Sequence, residues 1–67
     1  MIIGYEEINS DGYLVNIEAG TYDSFEEADA KYEELKTTYA DDDSVIGVFK
    51  ATRKRGNTYI KIEGESV

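Results

Sequence analysis

The stretch Ser24-Phe25-Glu26-Glu27-Ala28-Asp29-Ala30-Lys31-Tyr32-Glu33-Glu34-Leu35-Lys36-Thr37-Thr38-Tyr39-Ala40 decides the fold. Phe25, Ala28, Tyr32, Leu35 and Tyr39 recur at alternating intervals of three and four, which gathers them on one stripe of an α-helix. Ser24 and Glu27 form a capping box, in which the Ser24 hydroxyl accepts from the Glu27 amide and the Glu27 carboxylate accepts from the Ser24 amide. Glu27 also precedes Lys31 by four residues, the orientation that predicts a helix ion pair worth about 0.2–0.5 kcal/mol. Asp41, Asp42 and Asp43 would oppose the macrodipole at a helix C-terminus, so the helix is expected to end near Ala40 and release them into a loop.

On the N-terminal side, Ile2 to Asn9 and Tyr13 to Tyr22 are rich in β-branched and aromatic residues and flank Ser10-Asp11-Gly12. A three-residue hairpin loop ends in the left-handed region, where Gly12 is tolerated. That loop pairs Asn9 with Tyr13 and Tyr5 with Ile17. Ile3, Tyr5, Val15, Ile17 and Ala19 then share one face, and Ile2, Ile8 and Leu14 the other. On the C-terminal side, Val45 to Arg53 and Thr58 to Glu63 read as a second hairpin with Gly56-Asn57 as its turn. Pairing outward from that turn groups Phe49 and Ala51 with Ile60 and Ile62. It places Ile46, Val48, Lys50, Thr52, Lys54, Tyr59 and Lys61 on the outer face, with Lys50 opposite Glu63. The expected fold is a single α+β domain over residues 1–67, in the order β-β-α-β-β, with a four-stranded mostly antiparallel sheet and one helix packed on one face.

Sixty-seven residues with no Cys and no His exclude disulfides, zinc fingers and redox dithiols. A chain this short buries only about 60% of its unfolded surface, so regular packing or association with a second chain must supply its stability. No basic n-region with an apolar run follows Met1, and no stretch approaches the roughly 20 apolar residues of a membrane span. The expected compartment is the cytoplasm, without a membrane partner.

Catalysis is disfavoured by the missing residue types: the serines have no histidine to activate them, there is no thiol, and a chain this small encloses little of a pocket. The protein is therefore expected not to be an enzyme and to need no cofactor. A calcium loop starting at Asp41 would put Ile46 and Thr52 at its sixth and twelfth positions. Starting at Asp42 it would put Gly47 and Arg53 there, and Arg53 is no ligand. A solvated acidic loop without metal is the better account.

Charge is strongly segregated. Residues 1–49 hold 13 acidic side chains against Lys31 and Lys36, a net charge of −11, whereas residues 50–67 carry +3. Such asymmetry governs how a protein meets charged partners. Three candidate surfaces follow. Glu26, Asp29 and Glu33 form a carboxylate stripe on the helix. With Glu34, Asp41, Asp42 and Asp43 they make an acidic surface that competes with nucleic acid for the groove of a basic, nucleic-acid-binding protein. Ile2, Ile8, Leu14, Ile46 and Val48, on the sheet face that one helix leaves uncovered, make a candidate apolar interface for a homodimer. Lys50, Arg53, Lys54, Arg55 and Lys61 make a basic patch, although a pI of about 4.3 weighs against direct nucleic-acid binding.

The favoured reading is a non-enzymatic protein-interaction module with the acidic surface as its binding face. The alternatives are a dimeric assembly protein and a weak nucleic-acid binder acting through the second hairpin. In size and charge the chain is similar to the accessory inhibitors that bacteriophages and mobile elements encode; it carries no motif of a named family.

Overall fold

Five elements follow from these patterns: β1 (Ile2–Ile8), β2 (Leu14–Thr21), α1 (Phe25–Thr38), β3 (Val45–Arg55) and β4 (Thr58–Ser66). The computed structural model describes residues 1–66, the last of these by its backbone alone. The strands form one open antiparallel sheet in the order β2-β1-β3-β4. The helix lies over the two central strands.

The first hairpin closes as its turn residues require. Gly12 sits at φ 85°, and Asn9 Oδ1 accepts from the amides of Asp11 and Tyr13 at 3.0 Å each. Ile8 then pairs with Leu14 and Tyr5 with Ile17. One departure occurs further along, where Ala19 is an extra residue and Ile3 pairs with Gly20. A bulge leaves its added residue outside the ladder, and Ala19 is exposed instead of joining the inner face.

The helix is capped by Ser24, whose Oγ accepts from the Glu27 amide at 3.2 Å. Ala28, Tyr32 and Leu35 are buried against Ile3 and Val48, with Met1, Tyr5, Tyr22 and Tyr39 packed around them. Phe25 departs from the expected stripe and is 70% exposed, because it occupies the first helical position, beyond the area the sheet covers. Lys31 pairs forward with Glu34 at 3.5 Å and not back to Glu27. Past the helix, Asp42 Oδ1 accepts from the Ser44 amide and hydroxyl, which turns the chain into β3.

The second hairpin shows the largest difference from expectation. Gly56 holds the turn at φ 60°, and Lys50 faces Glu63 as expected. Between these points Thr52 is an extra residue on β3 and Ile62 an extra residue on β4. The two bulges cancel in register, yet each reverses the side-chain alternation locally. Val48 and Lys50 therefore face the helix, whereas Lys54, Tyr59 and Lys61 stay on the outer face. Phe49 and Ala51 face away from the helix, opposite to expectation. Ile60 is half-buried and Ile62 is 54% exposed.

Candidate functional site

Phe49 and Ala51 are wholly buried on a face that no helix covers. The cover is made by side chains from the two edge strands. Lys61 on β4 reaches across the sheet to Asn16 on β2 at 2.9 Å and to Glu6 on β1 at 3.4 Å, passing its ammonium over the Phe49 ring at 4.7 Å from the centroid. Tyr59 packs on Phe49 with ring centroids 5.0 Å apart and donates its hydroxyl to Glu18 on β2 at 3.0 Å. The ring needs a floor without a side chain, and Gly4 provides it: a Cβ there would meet the Ile17 carbonyl oxygen and stand 2.6 Å from Phe49 Cζ. The sequence alone leads to the expectation of an uncovered face here. The available signal was Gly4 inside a strand, which marks the close approach of another group.

This canopy redraws the apolar candidate surface. Val48 has no place on it, because it is fully buried beneath the helix. Ile2 is half-buried. Ile8, Leu14 and Ile46 are exposed by 37%, 52% and 42%, at the end of the sheet remote from the second hairpin turn.

Lys50 likewise leaves the basic patch. Its side chain is 8% exposed under the helix, paired with Asp29 and, at 3.1 Å, with Glu63, and its ammonium lies 5.0 Å from the Tyr32 ring centroid. The bulge at Thr52 turns Lys50 inward while leaving Lys54 outside. Lys36 repeats the arrangement one turn on, joining Glu33 at 3.2 Å and Glu65 at 2.9 Å. An ionic seam thus ties the helix to β4. Pairing with Asp29 holds the Lys50 ammonium above its usual pKa, against the opposing effect of burial. Tyr32 lies inside this seam with a buried hydroxyl that has no partner among the described residues, and burial, then Glu65 and Glu63, push its pKa up.

The acidic surface is divided by these contacts. Asp29 is engaged with Lys50, Glu33 with Lys36 and Glu34 with Lys31. The Ser44 hydroxyl and amide hold the Asp42 carboxyl below its usual range. Glu26, Asp41 and Asp43 are exposed and, among the described residues, carry no ion pair. Glu33 and Glu34 keep 67% and 61% of their side chains exposed beside their lysines, so the helix still presents carboxylates outward. Of the basic candidates, Arg53, Lys54 and Arg55 remain exposed at the end of the second hairpin, and Lys61 belongs to the canopy.

Two shallow clefts accompany these surfaces. One, of about 210 Å³, is lined by Met1, Asp23, Ser24, Phe25 and Thr52. The other, of about 320 Å³, is lined by Glu6, Ile46, Gly47, Gly64 and Glu65. Among the described residues no three carboxylates converge to hold a metal ion, and no helix is long and apolar enough to cross a membrane. No family model, curated protein or solved structure matches this chain.

Proposed function

We propose that the protein is a non-enzymatic interaction module that engages a basic macromolecular partner, such as a nucleic-acid-binding protein, through the outward face of α1 and the loop that follows it. One observation carries this reading. Glu26, Glu33, Glu34, Asp41 and Asp43 are all exposed along a single helix and its C-terminal loop, while Lys31, Lys36 and Lys50 are drawn into internal pairs beside or beneath them. The surplus of negative charge is therefore left outside. Cationic side chains on a partner would meet carboxylates spread along the helix, with Glu26 and Glu33 about 10 Å apart on its axis, and steering would make association fast and salt-sensitive.

The test is affinity capture from a nuclease-treated lysate of the source organism, with the wild type beside a Glu26→Lys, Glu34→Lys, Asp41→Lys variant. Asp29 is left intact because it neutralises Lys50. Capture of a basic protein by the wild type alone supports the reading; equal capture of every partner by both baits contradicts it. A second reading, a dimeric assembly protein, draws on the exposed Ile8, Leu14 and Ile46. It requires a concentration-dependent mass doubling in sedimentation that Leu14→Lys abolishes.

A further inference from the structure

The cations at the tip of the second hairpin are set apart from the rest of the molecule's charge. Lys31, Lys36, Lys50 and Lys61 all pair with carboxylates. Among the described residues Arg53, Lys54 and Arg55 do not, and the Lys54 ammonium rests 5.2 Å from the Tyr59 ring centroid. These three residues also leave the body of the sheet. β1 pairs with β3 only as far as Ile2 opposite Ala51. Beyond that point β3 and β4 continue alone through Arg53–Ile60, Lys54–Tyr59 and Arg55–Thr58. Residues 52 to 58 are all exposed. At about 3.3 Å per ladder step the Arg55–Thr58 pair stands about 10 Å beyond the last three-stranded position, with the turn further out.

Residues 52–61 contain four cations and no acidic side chain. The acidic loop 41–43 lies just before the other end of the same strand. With the bulged residues discounted, Val45 and Arg55 are separated by about 26 Å, against a longest molecular dimension of 34 Å. The Debye length at physiological ionic strength is about 8 Å, so the ribbon tip is screened from that loop and presents its own positive field. Two acids lie by its base: Asp23, which shares a cleft with Thr52, and Glu18, which is engaged by Tyr59.

We infer that the ribbon of residues 52–61 is a docking element for duplex nucleic acid, gripping phosphates through Arg53, Lys54 and Arg55. A two-stranded β-ribbon fits a major groove about 12 Å wide. Tyr59 is held by Phe49 and Glu18, so it is not free to stack on bases, and the contact is to the phosphate backbone without base readout. This surface shares no residue with the acidic face, and the two readings stand or fall separately.

The experiment is fluorescence anisotropy of a labelled DNA duplex of random sequence titrated with the full chain across a salt series. Three phosphate contacts predict a slope of log affinity against log salt of about −3. Arg53→Gln, Lys54→Gln, Arg55→Gln should weaken binding at low salt about tenfold or more and flatten that slope, with the thermal midpoint unchanged. Should the triple variant fail to fold, Arg53→Gln and Arg55→Gln taken singly should each weaken binding and make the slope shallower by about one. Glu26→Gln, Glu34→Gln should bind the duplex at least as well as the wild type. The inference is overturned if the duplex does not bind at low salt, or if the ribbon variants bind as the wild type does. Tighter binding to a single strand overturns it as well. So does competition by oligoglutamate as effective as that by unlabelled duplex, which would assign the ribbon to an acidic protein.

Discussion

Gly4 is the residue on which the outer face turns. Adding one methyl there forces the Phe49 ring or the Ile17 carbonyl to move, and overpacking of this kind costs about 1–3 kcal/mol. Gly4→Ala should therefore lower the unfolding free energy measured in urea by that amount and expose Tyr59, read as a change in its fluorescence quenching. Tyr32 makes the opposite case. Its hydroxyl is buried without a partner among the described residues, so Tyr32→Phe removes a desolvated group without opening a cavity and should leave stability unchanged or raise it by about 1 kcal/mol. A loss above that size would mean that the hydroxyl has a partner in solution. Lys50 lies between these two. Lys50→Met should be near neutral, whereas Asp29→Asn with Glu63→Gln, which strands the buried ammonium, should cost about 1–2 kcal/mol after discounting for the half-exposed carboxylates. Thermal denaturation of the three proteins decides this.

At the scale of elements, α1 was the most legible part of the sequence. Ala28, Tyr32 and Leu35 are buried as their spacing requires, and Ser24 caps the helix through the Glu27 amide. Ser24→Ala should cost about 1 kcal/mol, measured by chemical denaturation, with helix fraying seen in amide exchange at residues 25–28. The first hairpin was legible through Gly12, because a positive φ restricts both residue choice and loop length. In the second hairpin the turn was legible and the facing was not. Thr52 and Ile62 give no local sign that they sit outside the ladder, since both are good strand residues. Two bulges that cancel leave the distant pairing of Lys50 with Glu63 correct while reversing the facing of β3 on the side of Thr52 away from the turn. Hence Val48 and Lys50 were expected outside and lie inside, and Phe49 and Ala51 the reverse. Lys50 in particular reads as a surface cation until its tertiary partners, Asp29 from the helix and Glu63 from β4, are seen.

For the whole molecule, folding and pH are linked mainly on the alkaline side. The hydroxyl of Tyr39, then burial, push Tyr5 up to about 12, and Tyr32 and Lys50 are also raised. Each of these groups holds its proton more tightly in the folded chain. Their contribution is therefore complete below their unfolded values near 10 and is lost as pH rises through the folded ones. Asp42 has the reverse sign: its folded pKa is depressed, so its contribution is present above the usual value of 3.8 and fades as pH falls through the folded one. Denaturation midpoints should thus hold steady near neutrality and fall as pH rises from 10 towards 12, most of all in the wild type and less in Tyr32→Phe. The pairing of Lys50, with that of Lys31 and Lys36, also occupies the lysines around the helix, which leaves an acidic helix and loop and, at the far end of β3, a basic ribbon.

That polarity is the central claim, and amide chemical-shift mapping of the isotope-labelled chain tests it most directly, using oligolysine and a DNA duplex as separate probes. Oligolysine is predicted to perturb amides along the outward face of α1 and in residues 41–43 while leaving the ribbon unmoved. The duplex is predicted to perturb residues 52–58 and to leave α1 unmoved. Shifts that spread evenly over the chain, or that fall on the same residues for both probes, would contradict the account.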